Sequence, residues 1–464
     1  MLWPCIQSVP QPNLNGRIGN VWVSNQVGGG SSVNAMRTTI AGLPCSETKA
    51  QQGTADWSWD GILPFFKKGL HFTEPPPELT DNFDGVKYDA SYWGDSSEIY
   101  AGWPRFYYPG VTPLFEAFKE IDGVEFPSDS GAGKADCHAL GHYLNVNASR
   151  PNYHLLINTQ VRRLLVDDEL SATGVEFPLE DNTLFTVNAE KEVILSAGTV
   201  HTPHLLQLSG IGPKKILEAG GIDVRVSLCP YSIALTNLAG WLPFTVVSDK
   251  ADELATKLEQ QDFASLLPAD AAATVVAGFE AQMKMLAAQM RSKDTAFTRF
   301  QLIADHGAQG SVAMQSFSRG TININTTDPL NTEPVIDYRS LTNPLEADFF
   351  VESIRFLRRY NFETSLASEF APVEYVPGPD VVSDEDLKAY IARAMSPTDY
   401  HPVGTASMLP LKLGGIVDQT LRVYGVKNLR VVDASVMPMV PSANTCQPTY
   451  ALAEKAAEII KQGI

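Results

Sequence analysis

The sequence predicts an α/β chain with a second region packed on the first, and three observations carry that prediction. Residues 192–197, EVILSA, form a short apolar run of the kind that makes a buried strand, and they lead through Gly198 into HTPHLLQLSGIG. Near the end, NLRVVDASVMP reads as another buried strand, followed by a loop and then by YALAEKAAEIIKQG, an amphipathic helix closed by Gly463. Between 231 and 395, short strands and helices mix differently, which suggests a second layer of structure rather than a continuation of the first.

The remaining elements follow in order. Residues 152–177, NYHLLINTQVRRLLVDDELSATGVEF, read as strand, strand, turn, strand, because Val, Leu and Ile crowd either side of a turn signal. In GTVHTPHLLQLSGIG a short helix is expected to begin near Thr202-Pro203, since proline suits a first turn. Residues 268–292, PADAAATVVAGFEAQMKMLAAQMRS, look helical with Asp270 as cap, and their Met and Ala stripe is most simply core packing.

Composition narrows the function. The 464 residues are 44% hydrophobic, enough for a large core and two domains. A formal charge of −18, from 53 acidic against 35 basic residues, repels nucleic-acid backbones and anionic lipid, so neither is an expected partner. No run of about 20 apolar residues is present to span a bilayer. MLWPCIQSVPQPNLNG lacks the basic and apolar regions of a signal peptide, so a cytoplasmic location is the expectation for the chain as written. Cys5, Cys45, Cys137, Cys229 and Cys446 are scattered and never paired as C-x-x-C, which argues against zinc and against a disulfide framework. No His/Asp/Glu spacing suggests a metal ligand set.

Two glycine-containing segments carry the chemistry. VGGGSSVNAM, residues 27–36, lets backbone N–H groups approach a ligand closely. Ser31 and Ser32 are not nucleophiles of the elbow type, since no G-x-S-x-G surrounds them. In the second segment, Gly210-Ile-Gly212 does not start a dinucleotide fingerprint, because Lys215 stands where the third glycine belongs. His201 and His204 within it are expected to pack or face solvent. Trp93, Trp103, Phe106, Tyr107 and Tyr108 could wall an apolar pocket, although such clusters are more often core.

Residues 198–212 resemble the second signature of the glucose–methanol–choline (GMC) flavin oxidoreductases at every constrained position, and VGGGSSVNAM resembles the first. DWSWDGILPFFKK, SRGTININTTDP and the blocks HPVGTASMLP, GGIVDQTLRVYGVKNLRVVDASVMP and NTCQPTYALAEKAAEII are similar to further segments of that family. The C-terminal block and YAGWPRFYYPG look most like filamentous-fungal members that oxidise secondary metabolites.

The resemblance implies a discontinuous FAD-binding, Rossmann-like domain in 1–45, 152–230 and 400–464, and a substrate domain of antiparallel sheet flanked by helices in 46–151 and 231–399. It implies oxidation of an alcohol of a small organic molecule. A hydride leaves carbon only as the hydroxyl proton is removed, so a base must face the flavin across the substrate. His401 stands at the family's catalytic histidine and Asn444 at its second active-site position, where the amide would orient the substrate oxygen. Implied FAD contacts are Gly29, Gly30, Ser31, Asn34, Ala35, Met36, Val161, Asp433, Ala434, Gln447 and Pro448.

The chain departs from the family pattern as well. No strand, G-x-G-x-x-G, helix unit with an acidic residue about 20 positions on is found, so the first βαβ of the FAD domain is expected to be missing. Each charge-assisted hydrogen bond that this unit would make to FAD is worth about 1.5–3 kcal/mol, so its absence predicts weak FAD binding. After GGIDVRVSL the family's Gly-rich loop is replaced by Leu228-Cys229-Pro230, and 131–150 is shorter than the family's segment. These gaps leave an alternative in view, a non-oxidising relative that binds or cyclises a small molecule.

Overall fold

The computed structural model describes residues 5–24, 28–32, 57–82, 85–102, 110–126, 128–129, 137–138, 141–142, 154–179, 181–226, 239–302 and 309–463. They form a mixed α/β structure of helices and small sheets. The strand Val193–Leu195 pairs in parallel with Leu429–Val431, joining segments more than 230 residues apart, as the two apolar runs predict. Leu429, Arg430 and Val431 are all buried, whereas the first strand alternates, with Ile194 turned outward. Beside this pair lies a three-stranded antiparallel meander of Arg163–Val166, Ala172–Pro178 and Leu184–Asn188.

Three expected details of local structure differ from the sequence reading. Residues 154–160 form no strand: Asn158 takes a left-handed φ of 54°, which swings the chain, and Leu155, Leu156 and Ile157 stay exposed. The helix Gly198–Leu208 begins before Thr202-Pro203 and carries Pro203 within it. The helix Ala273–Met290 starts three residues beyond Asp270, with Ala272 as its cap residue and no capping side chain. Its apolar stripe is core as expected, with Met283, Leu286, Ala287 and Met290 all buried.

Two main cores result. One lies where the antiparallel sheet of Cys137–His138, Ala239–Leu242, Thr298–Leu302 and Gln309–Ala313 meets the helices Ala251–Glu259, Ala273–Met290 and Leu345–Phe362. Its centre is aromatic: Phe300 stacks on Phe356 at 4.5 Å between ring centroids, and Phe244 stacks on Phe349 at 5.1 Å. Fully burying one such side chain contributes about 1.5–3 kcal/mol. The other core unites residues from 164–211 and 403–459 with Trp57, Ile62, Phe66 and Trp93. There the helix Trp59–Gly69, capped by Ser58, lies against the helix Cys446–Lys461, and buried Lys455 donates to the Gly61 carbonyl at 2.8 Å over the Trp57 ring.

Gly278, inside the helix Ala273–Met290, shows how closely the first core approaches its neighbours. A Cβ built there would stand 2.2 Å from the Leu413 carbonyl oxygen. In an exposed helix Gly→Ala gains about 0.5–1 kcal/mol. Here overpacking, typically about 1–3 kcal/mol, opposes that gain. Gly278→Ala is therefore expected to lower the melting temperature, and a raised one would contradict the close approach.

Candidate functional site

The site is assembled around one carboxylate. Asp433 follows the buried strand Leu429–Val431 and is itself 6% exposed. Its Oδ2 accepts from the Gly198 N–H at 2.9 Å and the Thr202 hydroxyl at 2.7 Å, and its Oδ1 accepts from the Ser435 N–H at 2.8 Å. Three donors from two chain segments thus converge on one side chain. The side chain of Asp433, a position the resemblance assigns to FAD binding, is held by the protein's own groups.

Pro203 then places the segment that carries His401. Within a helix the N–H of residue 203 would bond the carbonyl of Thr199, but proline has none. The Thr199 carbonyl instead accepts the Thr405 hydroxyl at 2.7 Å, while the Thr199 hydroxyl donates to the Pro402 carbonyl at 2.8 Å. The Gly404 and Ala406 N–H groups donate to the Ala434 and Ser435 carbonyls at 3.4 and 2.8 Å. His401 is thus held between a helix start and the Asp433 turn, and it is 9% exposed.

Asn444, 4% exposed, ends the loop that precedes the helix Cys446–Lys461. Side-chain amides hold that loop by its backbone. Gln282 donates to the Pro438 carbonyl at 2.7 Å, and Gln315 donates to the Val440 carbonyl at 3.1 Å and the Ser442 hydroxyl at 3.3 Å. Arg299, fully buried on the strand Thr298–Leu302, reaches both segments that carry the candidate residues His401 and Asn444. Its Nη1 donates to Asn444 Oδ1 at 3.4 Å and its Nη2 to Asp399 Oδ2 at 3.3 Å, two residues before His401. The sequence reading passes over Arg299, Gln282 and Gln315. The one signal for them was a lone cation inside the apolar strand pattern AFTRFQL.

The glycine loop meets the same region. Gly29–Ser32 forms a 3-10 turn, and Ser31 is hydrogen-bonded to the phenol of Tyr450 on the C-terminal helix; burial foremost, then the nearby Cys446, raises the pKa of that phenol. Among the described residues, a Cβ at Gly29 or Gly30 would meet nothing within 4 Å. Gln447 and Pro448 are buried in the first turn of that helix. Both amide atoms of Gln447 lack a hydrogen-bond partner among the described residues, although the side chain is 1% exposed. A buried unmade hydrogen bond costs about 1–3 kcal/mol, so this amide suits a ligand edge that offers both a donor and an acceptor. The alternating carbonyl and N–H groups of a flavin pyrimidine ring are such an edge. Val161, half-buried just before the strand Arg163–Val166, adds no polar side chain, and Asn34, Ala35 and Met36 lie outside the described residues.

A cavity of about 1060 Å³ opens beside the four-stranded antiparallel sheet. It is lined by Leu114, Phe350, Leu357 and Phe370 and by Asp399 and Tyr400, the two residues before His401. Trp93 is not part of that lining: it is buried against Phe72 and donates to Asp129 at 2.7 Å. Trp103, Phe106, Tyr107 and Tyr108 lie outside the described residues. His201 pairs with Glu333 at 2.8 Å, and His204 is buried beneath it, so both histidines of the second glycine segment have structural roles.

Comparison with known proteins gives a consistent result. Two family models described as GMC oxidoreductase match residues 134–229 and 316–453. The dehydrogenase xptC of Emericella nidulans is 31% identical over 535 residues, covering 99% of this chain and 84% of the relative. An FAD-dependent oxidoreductase from Chaetomium thermophilum superposes with a TM-score of 0.91 at 27% identity, covering 99% of this chain and 90% of that one. A structure described as a new fungal aryl-alcohol oxidase also gives 0.91, at 28% identity, covering 99% and 89%.

Asp433→Ala would leave three donors without an acceptor, at about 1–3 kcal/mol for each buried group. A marked fall in melting temperature is expected without any added cofactor, and an unchanged one would remove Asp433 from the centre of the site. Stability should also decline on acidification. Burial, followed by the neighbouring His201, lowers the pKa of His204, so below about 6.5 the unfolded chain takes up a proton that the folded one refuses. The hydrogen bond from His201 lowers the pKa of Glu333, a contribution present above the ordinary carboxylate range and lost as pH falls through it. His204→Gln should flatten the loss of melting temperature between about pH 7.5 and pH 5.5, the window set by an ordinary histidine. An identical slope in the variant would contradict this.

Proposed function

Since the chain belongs to the GMC oxidoreductase family, we propose that it is an FAD-dependent oxidoreductase that oxidises an alcohol of a small organic molecule, with His401 as base and Asn444 as the group that orients the substrate oxygen. The observation that carries this reading is the convergence of the His401 and Asn444 segments on one buried guanidinium, Arg299. Asn444 and Asp399, the latter two residues before His401, share that one side chain although 45 positions separate them.

Gln447, whose buried amide has no hydrogen-bond partner among the described residues, and the backbone of the Gly29–Ser32 turn would hold the ring end of FAD. When bound, FAD supplies the acceptor for the hydride, that is, for the carbon-bound hydrogen with its electron pair. His401 takes the hydroxyl proton from the alcohol, so the carbon–oxygen bond becomes a carbonyl with atoms and charge in balance. Burial of His401 and Asn444 excludes water, which strengthens the amide's hold on the oxygen as charge develops there.

The cavity beside Asp399 and Tyr400 supports an apolar substrate of some bulk. The finer reading, a secondary-metabolite alcohol of a filamentous fungus, rests on the fungal character of the C-terminal block and of YAGWPRFYYPG. The aryl-alcohol oxidase among the structural neighbours makes benzylic alcohols reasonable first probes.

The test is optical. Because weak FAD binding is expected, the protein is kept in excess FAD, and an aryl alcohol under anaerobic conditions should bleach the flavin absorbance only when the protein is present. A folded protein that never bleaches it would favour the non-oxidising alternative. His401→Ala should cut kcat/KM by about 10²–10⁴-fold, the range for a lost general base, while retaining flavin and melting temperature. Full activity in that variant would remove His401 from the mechanism.

A further inference from the structure

We propose that Arg299 is a positioning residue of this active site: its guanidinium fixes which way the Asn444 amide faces, so that Asn444 presents its N–H groups to the substrate oxygen. The inference rests on the oxidoreductase reading above and adds a residue to it.

Chemistry decides the orientation. A guanidinium has five donors and no acceptor, so the Asn444 atom 3.4 Å from Arg299 Nη1 must be the carbonyl oxygen. The Nδ2 amide nitrogen, on the other side of the same planar group, is then directed away from Arg299 as a donor. An oxygen that is losing its proton needs a donor, and the reversed amide would offer it a lone pair instead. The same guanidinium holds Asp399 at 3.3 Å through Nη2, so the amide is oriented relative to the segment carrying the base.

Packing alone is a poor explanation for Arg299. The side chain is fully buried, and its carboxylate partner Asp399 is 24% exposed and at the long end of hydrogen-bond range. The guanidinium also sits 5.9 Å from the Trp241 ring centroid. Burying a cation costs several kcal/mol, and apolar replacements of similar volume are often neutral or stabilising. A buried cation directed at the Asn444 amide is accounted for by the orientation it imposes on that amide.

The test uses the FAD-loaded full chain with 4-methoxybenzyl alcohol and an artificial electron acceptor. Arg299→Met should lower kcat about 10–100-fold with KM within about 3-fold, and Arg299→Lys should restore part of the loss. In an Asn444→Ala background, Arg299→Met should change kcat by less than about 2-fold, because its effect passes through the amide. An additive loss in the double variant, or unchanged kcat in Arg299→Met, would overturn the proposal. A second arm needs no activity. Asn444→Asp should be tolerated beside Arg299, with little change in melting temperature, and should be strongly destabilising in the Arg299→Met background. Equal destabilisation in both backgrounds would also overturn it. If the wild-type flavin is never reduced by the alcohol, the oxidoreductase reading fails, and the charge-swap arm still decides whether Arg299 holds residue 444.

Discussion

The Asp433 carboxylate is the constraint on which the site depends. A short parallel pair of strands ends there, a helix starts there, and the turn Ala434–Val436, whose carbonyls hold the segment after His401, is tied to it. A buried carboxylate is costly unless its lone pairs are engaged, and three donors engage this one. The fold therefore stabilises the charge by bringing together Gly198, Thr202 and Ser435, and in doing so it places the backbone that runs to His401.

From this point the second glycine segment gains a physical rationale. Pro203 matters less as a helix starter than as a missing donor, because the carbonyl it leaves open receives Thr405. Thr199 returns a hydrogen bond to Pro402. The two hydrogen bonds lock the residues on either side of Val403 and Gly404 to one helix turn, which limits how far His401 can move.

The loop before the C-terminal helix is gripped from the opposite side. Gln282 and Gln315 hold its carbonyls, and Arg299 holds its final amide. Gln282 and Arg299 arise from a helix and a strand of the aromatic core and Gln315 from the bend just after one of its strands, so the rigidity of that core is transmitted to Asn444. The two halves of the candidate site thus have different supports, one a carboxylate turn and the other a set of long polar side chains. Function requires that these supports agree to within a fraction of an ångström.

Local pattern in the sequence determined the mixed α/β class, the two apolar runs that pair in parallel, the Met-rich core helix, the C-terminal helix closed by Gly463, and the motifs carrying His401 and Asn444. Each of these is encoded within one segment by side-chain period or by residue type at short spacing, which is why it can be read without the fold. Tertiary structure alone decided that Asp433 is engaged by donors over 230 positions away, that Arg299 bridges the segments carrying His401 and Asn444, and that the Gln447 amide is buried without a partner among the described residues. It also decided that the run at Leu155–Ile157 stays outside any sheet and that Asp270 caps nothing. Those outcomes depend on which surfaces meet after the chain has closed on itself, and a hydrogen bond between distant residues leaves no periodic trace in either segment.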